Sequence, residues 1–75
     1  MLVNLKEILQ MAEEKNIAVG SFNTPNLESL IAIISAAEEL DVPVIIQFAQ
    51  CHEPWIPVSV IGPIMVEHAK KASVP

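Results

Sequence analysis

The side chains able to do chemistry gather in two runs, Phe22-Asn23-Thr24-Pro25-Asn26 and Gln47-Phe48-Ala49-Gln50-Cys51-His52-Glu53. The Asn23 amide carries donors and an acceptor, which suits sugar hydroxyls or a carbonyl; the same amide can instead close a turn onto its own loop. Gln47 is a polar residue inside an apolar stretch, where an amide needs partners. It meets either a ligand or a neighbouring strand. Cys51-His52-Glu53 holds metal- and nucleophile-type groups, but adjacent residues of an extended segment point opposite ways and cannot readily face one ion. No CxxC, HExxH or other His/Cys spacing completes a zinc site, and His68, the other histidine, belongs to a helix surface. Cys51 reads as a packed or loop thiol with no Lys or Arg beside it. Gly20 and Gly62 stand alone, so no glycine loop cradles phosphate, and no paired carboxylates or Ser/His/Asp set can be argued. The candidates are therefore Asn23 and Gln47 for substrate binding, with no catalytic residue and no metal ligand assigned.

The elements that must hold these residues follow from a repeated pattern. Ala12–Val19, Ala37–Val44 and Ala69–Pro75 each read as a charged last helical turn, a polar break and an apolar strand start. Helix followed by strand, recurring at roughly 25 to 32 residues, is the spacing of parallel βαβ units. Asn4 with Glu7 resembles a capping box, giving a helix over about 4–15 with Leu5, Ile8, Leu9 and Ala12 on one face. A first strand is expected over 17–22. Asn26 caps a second helix over 27–40, with Glu28 in its first turn and Leu27, Leu30, Ile31, Ile34 and Ala37 inward. Pro43 opens a second strand, 43–49, whose continuous apolar character predicts burial on both faces. Pro54 and Pro57 keep 50–57 irregular, with Trp55 a hydrophobic plug or an interface anchor. A third helix spans about 58–72, with Gly62-Pro63 disturbing its first turns.

The expected class is α/β, with residues 1–75 the N-terminal part of a single larger parallel domain, stopping where a third strand should begin. In such folds ligands gather at the carboxyl ends of the strands, which selects the loops after residues 22 and 47. Hydrophobic content of 52% argues against disorder. Two strands and a stub nonetheless make a poor core, because a parallel sheet needs both faces covered. A homo-oligomer, or the remainder of the larger fold, is expected to complete it. A net charge of −5 disfavours nucleic acid. The longest charge-free stretch, 54–66, is too short and too proline-broken to span a bilayer, so no membrane partner is expected. One cysteine and no visible signal peptide fit a soluble cytoplasmic protein.

Collinear segments resemble a known family. Val3-Asn4-Leu5-Lys6-Glu7-Ile8-Leu9, Ala18-Val19-Gly20-Ser21-Phe22-Asn23, Asn26-Leu27-Glu28, Ala36-Ala37-Glu38-Glu39, Val42-Pro43-Val44-Ile45-Ile46-Gln47 and Ala72-Ser73-Val74-Pro75 are similar to the start of class II, metal-dependent fructose-bisphosphate aldolases. Tagatose-bisphosphate aldolases look alike here. The resemblance implies a (β/α)8 TIM barrel with a leading helix across its bottom and a zinc ion that polarises a ketose carbonyl during reversible aldol cleavage. It implies a ketose bisphosphate as substrate, and it matches Asn23 to the family asparagine that contacts substrate. Ala49 stands where many members carry a phosphate-holding serine. The family's histidine-rich segment, catalytic aspartate and later glycine-rich loops have no counterpart in residues 1–75, so the chain alone is expected to be inactive. The other reading is an aldolase-like half-barrel module that self-associates or binds a partner through its open sheet edge and Trp55, without catalysis.

Overall fold

Two successive helix-to-strand passages build the molecule, and both begin with the same capping device. The computed structural model describes all residues 1–75. In chain order it has α1 (Leu5–Lys15), β1 (Gly20–Asn23), α2 (Leu27–Leu40), β2 (Val44–Gln47), a short 3-10 turn (Gln50–His52) and α3 (Val58–Lys71). Asn4 Oδ1 accepts from the Glu7 N–H at 2.8 Å, and Asn26 Oδ1 accepts from the Ser29 N–H at 2.8 Å. Each satisfies one of the free N–H groups at a helix start.

The helix ends explain why the strands begin later than the apolar pattern predicts. Asn16 and Asp41 sit in the left-handed region, at φ 54° and 53°. Asn and Asp tolerate it because their short polar side chains bond locally. The following amides then fold back, Ile17 N–H to the Ala12 carbonyl at 3.0 Å and Val42 N–H to the Ala37 carbonyl at 3.1 Å. The Ile17 amide thus serves α1, and β1 starts at Gly20 rather than residue 17; Pro43 has no N–H to donate, and β2 starts at Val44 rather than 43. The third helix closes differently, with extended backbone at Ala72.

β1 and β2 pair in parallel, with Gly20 opposite Val44 and Asn23 opposite Gln47. Val44 N–H donates to the Pro75 carbonyl at 3.1 Å, which lays the 74–75 segment along the free edge of β2. The third repeat thus takes the place a third parallel strand would occupy. Val74 is buried, and Ser73 is tied through its N–H (3.0 Å) and hydroxyl (2.8 Å) to Glu38 Oε2.

The core is small. Only nine of 75 residues are buried, chiefly Leu30, Ile34, Ala37, Ile61, Ile8, Ala12 and Val74. The accessible surface of 5084 Å² exceeds the roughly 4,500 Å² of a compact protein of this mass. Leu27 and Ile31 on α2, expected inward, are open, and so are Leu5 and Leu9 on the apolar face of α1. They flank the buried Ile8, Ala12, Leu30 and Ile34 on the same stripes and stay open themselves. β2 is half-buried rather than enclosed on both faces, and β1 is exposed. Trp55 is 83% exposed, so it plugs nothing within the chain. Pro63 lies inside α3, and Gly62 before it has no Cβ to clash with the proline ring.

Candidate functional site

Strand alternation decides which side chains meet. Ser21 and Asn23 share one face of β1, and the register puts Ile45 and Gln47 beside them on the same face. Gly20 and Phe22 point the other way, into an apolar cleft of about 520 Å³ shared with Ala32, Ile33 and Ala36 of α2. Phe22 folds back over Gly20 so closely that a Cβ there would lie 2.5 Å from the ring. Glycine is what lets the ring lie flat. The Ser21, Asn23 and Gln47 side chains stay exposed on the face opposite that cleft.

At the carboxyl end of that face the sequence-predicted pair comes together. Gln47 Nε2 donates to Asn23 Oδ1 at 3.0 Å, and Ser21 Oγ donates to Gln47 Oε1 at 2.6 Å. Asn23 therefore does not close a turn onto its own loop. Gln47 does bond to the neighbouring strand, twice, although its amide is exposed rather than buried. The Asn23 Nδ2 group makes no bond within the chain and faces open space.

Thr24 fixes this arrangement from beneath. It is fully buried, the one polar side chain in the core. Its N–H donates to the Gln47 carbonyl at 2.8 Å, its hydroxyl reaches the same oxygen at 3.0 Å, and Met65 Sδ lies 3.4 Å away. The end of β1 is thus clamped to the end of β2 and to α3. Neither Ser21 nor Thr24 stands out in the sequence. Only the strand register, which brings positions 23 to 26 residues apart into contact, reveals them.

The Cys51-His52-Glu53 run is pulled apart by local structure. Glu53 Oε2 accepts from the Val58 N–H at 3.0 Å and caps α3, where a carboxylate is favoured by the helix dipole. His52 lies against Phe48, ring centres 6.2 Å apart, with Cys51 Sγ 3.8 Å from its Nδ1. His68 Nδ1 faces the Ile64 carbonyl at 2.9 Å. No three His, Cys, Asp or Glu side chains converge to hold a metal ion. Ala49 precedes the 3-10 turn and offers no polar side chain there.

One titratable group departs from its ordinary value. The Glu38 carboxyl is held low, first by the Ser73 N–H and then by the Ser73 hydroxyl, with a smaller pull from the Met1 amino group; desolvation opposes. It lies away from the Asn23–Gln47 pair and belongs to the packing of residues 73–75. No helix is long and apolar enough to cross a membrane.

Comparison with known proteins adds a consistent set of relatives. The family model described as Fructose-bisphosphate aldolase class-II matches residues 3–75. A probable fructose-bisphosphate aldolase of Bacillus subtilis (strain 168) is 53% identical over 45 residues, 60% of this chain and 16% of that protein. A 6-phospho-5-dehydro-2-deoxy-D-gluconate aldolase of Halalkalibacterium halodurans is 49% identical over 45 residues, again 60% of this chain and 16% of that protein. An uncharacterized protein YdjI of Escherichia coli (strain K12) is 36% identical over 75 residues, 100% of this chain and 27% of that protein. The chain thus spans between 16% and 27% of the length of these relatives. No solved structure matches it significantly.

Proposed function

The chain belongs to the class-II fructose-bisphosphate aldolase family, and from that membership we propose that it forms the opening βα units of a (β/α)8 barrel whose substrate is a phosphorylated ketose. In this reading α1 lies across the barrel bottom, β1 and β2 are the first two barrel strands, and Asn23 and Gln47 meet substrate at their carboxyl ends. The reaction is reversible aldol cleavage, with fructose 1,6-bisphosphate giving glycerone phosphate and glyceraldehyde 3-phosphate. A cytoplasmic setting suits it.

The observation that carries this is the Asn23–Gln47 pair. Two amides, bonded to each other at 3.0 Å, stand on the open sheet face and leave the Asn23 N–H groups for a ligand oxygen. One residue earlier on β1 the side chain enters the α2 cleft, as Phe22 does, and one residue later it is buried in the core, as Thr24 is. What these residues do is bind and orient: an amide donor on a substrate oxygen restricts how the sugar chain lies across the strand ends. The relatives' names cover a ketose bisphosphate and a phosphorylated sugar acid, and Ala49 has no side-chain hydroxyl for a phosphate, so residues 1–75 do not choose between such substrates.

Zinc, which the family implies as Lewis acid for the carbonyl, finds no donor set among residues 1–75. Glu53 is engaged at the α3 N-terminus and His68 faces its own helix backbone. In this reading residues 1–75 supply substrate contacts, and the electrophile is held elsewhere in the barrel.

A second reading is favoured by one observation, the exposed apolar surface around Phe22, Leu40 and Ile17. A half-barrel that self-associates through that surface would bury it without catalysis.

The experiment is a cleavage assay on two proteins: the 75-residue chain, and a splice in which residues 1–75 replace the matching segment of the Bacillus subtilis relative. The chain should show no cleavage with or without zinc. The splice should cleave fructose 1,6-bisphosphate, and Asn23→Ala should slow it by roughly tenfold or more in kcat/KM, the effect of one lost substrate bond. A splice indifferent to Asn23→Ala would overturn the substrate-contact role.

A further inference from the structure

Ser21, Gln47 and Asn23 form a three-membered relay, and its direction decides what Asn23 shows to a ligand. Such a relay has two self-consistent polarities. In one, Ser21 donates to Gln47 and Gln47 donates to Asn23, so Asn23 turns its N–H pair outward. In the other both amides are turned over: Asn23 donates to Gln47, Gln47 donates to Ser21, and Asn23 turns its carbonyl oxygen outward. A serine hydroxyl serves either, since it both donates and accepts.

The distances separate the two. The Ser21–Gln47 contact is 2.6 Å, short for N–H···O, which runs roughly 2.7–3.2 Å, and ordinary for O–H···O. The Gln47–Asn23 contact is 3.0 Å, an ordinary N–H···O length. The atom facing Ser21 is thus the Gln47 oxygen, and the hydroxyl is the donor. Without a hydroxyl at position 21 nothing in the chain holds Gln47 in that sense. Its amide could turn over, and Asn23 would turn with it.

We infer that Ser21 is a positioning residue: its hydroxyl fixes the relay so that Asn23 directs N–H donors at an acceptor oxygen of the substrate. The ligand group selected is a carbonyl, hydroxyl or phosphate oxygen, all present on a ketose bisphosphate. A group that only donates is not selected. The inference rests on the reading that Asn23 meets substrate, and it adds the residue that sets which half of the amide does so.

Two measurements test it. In the ¹⁵N-labelled 75-residue chain, the Gln47 and Asn23 side-chain amides are compared with those of Ser21→Ala and Ser21→Thr. One Gln47 Nε2 proton should be bonded and protected, with both Asn23 Nδ2 protons unbonded. Ser21→Ala should shift and broaden the Gln47 pair, and Ser21→Thr should restore it. Free-amide signals for Gln47 in the unsubstituted chain, a bonded Asn23 pair, or an alanine variant identical to the parent each overturn the relay.

In the splice, Ser21→Ala should raise KM for fructose 1,6-bisphosphate roughly fivefold at nearly unchanged kcat, with recovery in Ser21→Thr, because an oriented ground-state bond is lost. An unchanged KM overturns the positioning role. A splice inactive before any substitution removes the aldolase reading, while the amide spectra still decide the relay.

Discussion

Thr24→Val removes one hydroxyl from the buried joint that holds the two strand ends together, and its cost can be worked from the contacts. The hydroxyl lies 3.0 Å from the Gln47 carbonyl, but that oxygen also receives the Thr24 N–H at 2.8 Å. The acceptor is therefore not orphaned by the change. The loss is that of one net hydrogen bond, about 1 kcal/mol, rather than the full desolvation penalty of an unpaired buried acceptor. Met65 Sδ is too weak an acceptor to change that figure. Thr24→Ser keeps the hydroxyl and loses a methyl group, about 0.8 kcal/mol plus a small cavity term. Thr24→Ala loses both and should cost about 2 kcal/mol. Urea unfolding by far-UV circular dichroism, in a constant sucrose background that stabilises so small a core, reads the three variants. Trp55, being exposed, is a poor fluorescence probe. A valine variant as stable as the parent would refute the hydroxyl bond. A loss of 3 kcal/mol or more would refute the claim that the carbonyl keeps its second donor.

Other expectations follow from single contacts. Glu38, lowered by Ser73, binds its proton more readily in the unfolded chain; its contribution is full above its ordinary value of 4.5 and is lost as pH falls through the lowered folded value. The stability gap between the parent and Glu38→Gln should therefore shrink on acidification in pH-dependent melts, and a gap that widens contradicts the contact. Asn26→Ala should cost about 1 kcal/mol by removing the α2 cap, read as a lower urea midpoint at constant slope. Leu40→Lys places a charge on the exposed rim of the α2 cleft and should lower any concentration-dependent mass of the chain in light scattering; an unchanged mass would show that this surface is not what associates.

How much of this was legible in the residues depends on whether the signal is local. The caps at Asn4 and Asn26, the bounds of α2 and the parallel pairing follow from spacing within one element or one repeat, and the structure has them. The strand starts expected at Ile17 and Pro43 lie upstream of those in the structure: Ile17 looks like a strand residue but its amide closes α1, and Pro43 has no N–H for the ladder. Periodicity puts Leu5 and Leu9 on the apolar face of α1 and predicts Leu27 and Ile31 inward on α2; it marks an apolar stripe but not how much of it is covered. Asn23 and Gln47 were legible as candidates because amides at strand ends are conspicuous. Ser21 and Thr24 were not, since a hydroxyl residue acquires its role only from what the register sets opposite it.

The central claim is that the open end of the β1–β2 pair touches a phosphorylated ketose through Asn23. A crystal structure of the splice with fructose 1,6-bisphosphate bound measures it directly. The Asn23 Nδ2 atom should lie within about 3.2 Å of a ligand oxygen, with Gln47 still bonded to Ser21. A ligand seated elsewhere in the barrel, with Asn23 in contact only with solvent, would contradict it.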